Sequence, residues 1–502
     1  LRLVERKQVA QQEPFHITQR QKAMLFNSLH FAYFFVIVTS LFFLLPHRYR
    51  WLLLLLTSCY FYMAFIPIYI LILLFTIVVD YVAGVVIEAA TDNKRKKFLL
   101  VASIIANVGV LAIFKYFNFF NENFAALAAA LGLTYPIQEL SIILPIGLSF
   151  HTFQSLSYTI EVYRGRQKAE RHFGIFALYV MFYPQLVAGP IERPQNVLHQ
   201  FHEVQRFDYH RFASGLRLIA WGLFKKMVIA DQLAIFVNQV YGAPTAYTGL
   251  PLILATYAFA IEIYCDFSGY SDIAVGCARV MGFRLMENFR QPYLATSISD
   301  FWRRWHISLS TWFRDYLYIP LGGNRVSTGR WAFNTMVVFM ISGLWHGANW
   351  TFIIWGALHG LYMILWTVAT PPVERRLTAW KLDRIPGLLP ALGLFITFNL
   401  VSVAWIFFRA QSFADGWYIL THLFAGFSLT VNYSIGIGAT TALVVLLSIA
   451  LMELYEWLRN RGKITFALWP WWSRWACYYA LVLLILLFGA LHSHAQFIYF
   501  QF

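Results

Sequence analysis

Long runs without a charged residue alternate along the chain with short charged clusters. Residues 51–79, 98–114, 140–160, 172–191, 232–261, 331–373, 385–408, 416–452 and 475–502 contain no Lys, Arg, Asp or Glu. A helix needs about 20 mostly apolar residues to cross a bilayer. Most of these runs reach that length, and 331–373 is long enough for two crossings. A membrane barrel would alternate apolar and polar positions over short segments, and this pattern does not. The runs predict an all-α polytopic membrane protein of about 11 transmembrane helices, with further re-entrant or surface helices.

Charge and composition sharpen this picture. The 502 residues are 59% hydrophobic and 13% charged, with 39 basic against 24 acidic residues, a formal +15. Such a chain is too apolar for disorder and too poor in charge to cover a soluble surface. The basic residues cluster as Lys94-Arg95-Lys96-Lys97 and as Arg164, Arg166, Lys168 and Arg171. These read as cytoplasmic loops, or as a patch for anionic lipid or substrate. Nucleic acid need not be invoked for the positive charge. Four cysteines without CxxC spacing read as buried thiols rather than a disulfide framework or a zinc site.

Residues 1–23 are polar and precede a natural-looking start at Met24. They read as an extension outside the core, or as a short cytoplasmic surface helix. Residues 29–45 suit an uncleaved signal anchor. Residues 24–502 read as a single membrane domain.

Two histidine contexts stand out. In the segment from Ser299 to Ser310, Ser299 or Asp300 suits the cap of a helix running to about Tyr318. Pro320, Gly322 and Gly323 would end it. His306, Ser310 and Arg314 would share one face of that helix. With six Arg against three acids between Glu287 and Arg330, the segment reads either as a helix dipping into the membrane or as a basic surface helix. The second context is Ser342-Gly343-Leu344-Trp345-His346-Gly347, deep in the longest uncharged run. A polar residue there is a functional candidate, and imidazole suits proton transfer near neutral pH. Tight helix packing around a hydrogen-bonded His fits the same pattern. Glu262, Asp266 and Asp272 suit an ion path, but pairing with the arginines of 284–330 accounts for them better. Glu192 and Arg193 read as a turn. The chain has no Walker A motif, GxGxxG, GxSxG or HExxH.

The block Asp300–Arg325 (DFWRRWHISLSTWFRDYLYIPLGGNR) resembles the hallmark of the membrane-bound O-acyltransferase (MBOAT) family, and best its bacterial alginate O-acetylation branch. Phe182–Pro194, Asp266–Asn288, Ser342–Trp350 and Phe497–Phe502 also resemble that branch. The likeness runs from Met24 to the end, whereas the D-alanylation branch is more distant in these blocks. It implies a fold of roughly eleven helices around a central tunnel, with His346 as the catalytic histidine and His306 as its partner. It implies acetyl-CoA as acyl donor, with no bound cofactor or metal. It also implies a periplasmic or membrane-anchored SGNH-type partner, an exported polysaccharide as acceptor and a place in the bacterial inner membrane. Arg303, Arg304 and Arg325 are candidates to meet the donor's phosphates. A peptidoglycan or teichoic acid acceptor, a transporter and an export scaffold are the competing readings.

Overall fold

The computed structural model describes residues 24–142, 144–187, 189–426, 436–463, 466–490 and 497–498. The N-terminal stretch 1–23 lies outside the described residues. Every regular element among the described residues is helical. Seven helical stretches are long and apolar enough to cross a membrane, and Leu29–Leu44 is a shorter apolar helix. Fewer spans than uncharged runs result because several runs are broken. The run 172–191, for example, forms Phe173–Met181 and the single turn Tyr183–Leu186, which meet at Phe182 just before Pro184. The protein is an all-α, multi-pass membrane protein.

The chain divides into two compact units, Leu1–Ile219 with Ile273–Met286, and Ala220–Asp272 with Glu287–Phe502. The first contains α1 (Leu29–Leu44), α2 (His47–Met63), α3 (Ile70–Ala89), α4 (Asn93–Leu111), α5 (Phe117–Ala130), α6 (Leu148–Tyr163) and α7 (Phe173–Met181), and α8 (Tyr209–Phe224) begins in it. The basic cluster at 94–97 is not a free loop but the first turn of α4. Cations are disfavoured at a helix N-terminus, and the Asp92 carboxylate offsets this by accepting the Lys94 and Arg95 N–H groups. The centre of this unit is a buried polar knot. Asp80 of α3 is fully buried and accepts from Ser103 (2.5 Å) and Asn107 (3.0 Å) of α4 and from Thr159 (3.3 Å) of α6. A buried carboxylate needs such donors, so the knot ties three helices at one point.

The second unit holds α9 (Asp231–Gly242), most of α10 (Leu250–Met281), and then α11 (Ile298–Arg304), α12 (Ile307–Phe313), α13 (Thr328–His346) and α14 (Trp350–Ala379). It continues through α15 (Leu388–Arg409), α16 (Phe413–His422), α17 (Ala439–Asn460) and α18 (Trp471–Phe488). Its outer faces are apolar and its inner faces partly polar. On α17, Leu443, Leu447, Leu451 and Leu454 are exposed, while Ser448, Met452 and Glu456 are buried. That arrangement suits lipid outside and polar partners inside. All four cysteines are free; Cys265 and Cys277 are buried as expected, whereas Cys59 is half-buried and Cys477 on α18 is exposed.

Two of the three acids of α10, Asp266 and Asp272, are paired, though not with the arginines of 284–330. After α8 the chain forms a π-turn, Lys225–Ala230, that buries two consecutive lysines. Lys225 Nζ lies 2.6 Å from Asp272 and 3.7 Å from Glu456. Lys226 Nζ lies 2.6 Å from Asp231 and 2.5 Å from Asp266. The wider turn lets neighbouring side chains face different carboxylates. Glu262 has no such ion pair among the described residues, and its Oε2 is buried without a hydrogen-bond partner. Asp266 Oδ2 also accepts the Ile498 N–H at 2.7 Å, and the Phe497 ring packs 4.4 Å from Tyr270. The rest of the block 497–502 lies outside the described residues.

Candidate active site

The second unit contains both predicted histidines. His306 stands at a break in the helix, not on its face. Ser297, rather than Ser299 or Asp300, caps α11, its Oγ accepting the Asp300 N–H at 3.0 Å. The helix stops at Arg304. His306 takes φ 43° and ψ 55°, the left-handed region, and α12 restarts at Ile307. A non-glycine residue held there costs roughly 1–3 kcal/mol and must be fixed by its surroundings.

The fixing element is the segment around Asn288. Arg290 N–H donates to the Arg304 carbonyl at 3.0 Å, and Ile307 N–H donates to the Asn288 carbonyl at 2.9 Å. Asn288 Oδ1 accepts the Ser308 N–H (3.3 Å) and Ser308 Oγ–H (3.0 Å), and Asn288 Nδ2 donates to Ser271 Oγ at 3.2 Å. The backbone groups freed by the break are thereby satisfied. The predicted face of His306, Ser310 and Arg314 does not form. Ser310 gives its hydroxyl to the Trp305 carbonyl, and Arg314 pairs with Asp315 at 2.8 Å. Beyond them, Gly322 and Gly323 turn the chain with φ 111° and 56°, as their sequence predicted.

The His306 ring is 1% exposed and lies 4.6 Å from Phe267 of α10 and 6.3 Å from Trp345 of α13, centroid to centroid. Burial pushes its imidazole down to about 3, because a charge would lose its hydration there. It is therefore neutral at physiological pH.

His346 ends α13 and is 4% exposed. Its ring contacts Trp345 (4.8 Å), Trp355 of α14 (5.0 Å) and Phe408 of α15 (5.3 Å). The flanking glycines account for how tightly α13 and α14 meet. A Cβ on Gly343 would stand 2.2 Å from the Phe352 carbonyl oxygen, and one on Gly347 would stand 2.1 Å from the Phe352 ring. Asn349 then caps α14 through the Thr351 N–H at 2.9 Å.

Three further residues were not anticipated. Lys225 and Lys226 carry the only obvious sequence signal, two adjacent cations inside an apolar stretch. The third is His359 of α14, fully buried, with Trp302 and Trp355 each 4.9 Å away and neither ring nitrogen hydrogen-bonded to a described residue. It lies in the same uncharged run as His346. Of the predicted arginines, Arg304 pairs with Asp300 at 2.9 Å, and Arg303 and Arg325 are exposed. The site thus has two buried imidazoles set among aromatic rings, with the indole of Trp345 contacting both. Such a setting suits proton transfer and hydrogen bonding with bulk water held off.

Comparison with known proteins gives the family. Residues 172–400 match the model of MBOAT, the membrane-bound O-acyltransferase family. The chain belongs to that family and is an O-acetyltransferase by its kinship. It is 40% identical over 409 residues to the probable alginate O-acetylase AlgI of Azotobacter vinelandii, covering 80% of this chain and 78% of that protein. It is 35% identical over 423 residues to the peptidoglycan O-acetyltransferase of Helicobacter pylori, covering 78% and 77%. It is 28% identical over 289 residues to the teichoic acid D-alanyltransferase of Streptococcus thermophilus, covering 52% and 68%.

Proposed function

We propose that this protein moves acetyl groups from cytoplasmic acetyl-CoA across the bacterial inner membrane for O-acetylation of an exported, alginate-like polysaccharide. The single observation that carries the reading is the pair of buried histidines, His306 and His346, both in contact with Trp345. The identity to alginate O-acetylases supports the choice of polymer.

In this reading residues 24–502 act as one domain, and residues 1–23 are an extension. His346 is the base. An acceptor hydroxyl is a poor nucleophile until its proton is taken. As His346 takes that proton, the hydroxyl oxygen attacks the thioester carbonyl carbon. Negative charge grows on the carbonyl oxygen, and His306, neutral and fixed by its strained backbone, donates an N–H to it. The tetrahedral species then collapses and the C–S bond breaks. The departing thiolate takes the proton back from His346, which restores the neutral base. Arg303, Arg304 and Arg325 meet the donor's phosphates. An SGNH-type partner passes the acetyl group on to the polymer.

Inverted and right-side-out membrane vesicles supplied with acetyl-labelled acetyl-CoA test the donor and its side. Label should reach acceptor only when the donor has access to the cytoplasmic face. Equal labelling from the outer face would contradict the reading.

A further inference from the structure

Three helix ends meet at one end of the first unit. Along α3 and α6 the paired residues rise in step. Thr76 Oγ1 lies 3.3 Å from His151 Nε2, Thr159 donates to Asp80 at 3.3 Å, and the Ala169 N–H donates to Glu88 at 3.0 Å. The C-termini of α3 and α6 therefore lie side by side. α4 begins after the short link 90–92 and returns to the Asp80 knot through Ser103 and Asn107. Its first turn thus stands at the same end.

Both basic clusters are carried there. Lys94, Arg95, Lys96 and Lys97 open α4. Arg166 and Lys168 follow α6, which closes in a glycine turn. Gly165 takes φ +70° and donates its N–H to the Val162 carbonyl at 3.0 Å, while the Arg166 N–H donates to the Glu161 carbonyl at 3.0 Å. This pair of bonds fixes the chain just beyond the helix. Arg171 then ties the segment to α3. Its side chain pairs with Glu88, and its carbonyl accepts from the Tyr81 hydroxyl at 2.6 Å.

The acids of these segments each have a partner. Asp92 caps α4, Glu88 holds Arg171, Glu161 lies 3.3 Å from Arg164, and Glu170 lies 2.8 Å from His202. Within 88–97 and 161–171, eight basic residues face these four acids, so positive charge remains in excess with every acid counted. Lys94, Arg95, Lys96, Lys97, Arg166 and Lys168 form no ion pair with a carboxylate among the described residues. Lys96 is half-buried and the other five are exposed. Like charges crowded in this way repel one another until anions join them.

The depth of the patch says which anion. α3 belongs to a stretch long and apolar enough to cross a membrane, so its end marks the level of the headgroups. Phe98, Tyr163 and Phe173 are exposed beside the cations, and aromatic side chains favour the boundary between headgroups and acyl chains. A basic cluster directly outside a crossing helix attracts anionic lipid.

We propose that residues 94–97, 166 and 168 form a docking face for the phosphodiester headgroups of anionic phospholipids. The face holds this end of the unit at the membrane surface. The inference goes beyond the acyl-transfer reading and does not depend on it.

The test uses the full chain in phosphatidylcholine nanodiscs with a minor share of phosphatidylglycerol, and native mass spectrometry counts the lipid that the released protein retains. One variant combines Lys94→Gln, Arg95→Gln, Lys96→Gln and Lys97→Gln, and a second combines Arg166→Gln and Lys168→Gln. The control combines Arg375→Gln and Arg376→Gln, two exposed arginines on α14. Wild type should enrich phosphatidylglycerol over phosphatidylcholine. Each charge removed from the face should weaken that enrichment about fivefold, the equivalent of about 1 kcal/mol per basic residue near an anionic surface. The control should match wild type. Raising the salt should strip phosphatidylglycerol from wild type itself, a test that needs no substitution. Undiminished enrichment when both sets are combined, or an equal loss in the control, would overturn the proposal. So would variants that lose binding to polyglutamate while keeping phosphatidylglycerol, since the face would then belong to an acidic polymer.

Discussion

The imidazole of His306 lies 6.3 Å, centroid to centroid, from the indole of Trp345, the residue immediately before His346. The two histidines sit in motifs some forty residues apart in sequence. One stands in a helix break and the other at a helix end, and the intervening indole keeps both rings in one aromatic enclosure. This relationship gives the account its first test.

His306→Gly keeps the left-handed backbone without strain, since glycine favours that region, and removes the imidazole. The variant should express and unfold at a temperature at or near that of wild type. Its acetyl transfer should fall by roughly 10²–10³, the size expected for loss of one donor to a developing oxyanion. Comparing thermal unfolding with initial rates separates the two effects. A variant that is stable and fully active would remove His306 from the chemistry.

The helix pair α13 and α14 depends on an absent side chain. Gly343→Ala places a methyl against the Phe352 carbonyl, and backbone cannot rotate out of the way as a side chain can. Overpacking of this kind costs about 1–3 kcal/mol. The midpoint of thermal unfolding in detergent should drop, and transfer should weaken as His346 and Trp355 move apart.

Lys226 faces two buried carboxylates. Lys226→Met leaves them without a counter-charge, a change costing about 3–5 kcal/mol when a buried pair is broken. Adding Asp231→Asn and Asp266→Asn to Lys226→Met should restore much of the stability. The unfolding midpoints of the single and triple variants report this coupling, and equal midpoints would argue against it.

Much of the architecture was legible because hydrophobic run length is a strong signal. The spans around 70–89, 388–409 and 439–460 each overlap an uncharged run, and the glycine turn at 322–323 announced itself. His346 was legible because a polar residue deep in such a run is conspicuous. What the sequence concealed was tertiary. The break at His306 has no proline to mark it. It exists because Asn288 and Arg290 take up the backbone groups it frees, and those residues are distant in sequence. Of the carboxylates of α10 expected to pair with the arginines of 284–330, Asp266 and Asp272 are paired instead with lysines on a π-turn whose geometry no periodicity shows, and Glu262 has no ion pair among the described residues. The run 172–191 looked like a span, but it folds as short buried helices broken near Pro184. His359 escaped notice because it shares its run with the more conspicuous His346.

As the proposed base, His346 is the residue on which transfer depends most. The most direct measurement is the acetyl-transfer rate of His346→Ala in membranes containing the same amount of folded protein as wild type. A loss of at least about 10²-fold is expected, the lower end for removal of a general base, with the variant still binding acetyl-CoA. Transfer at the wild-type rate by that variant would contradict it.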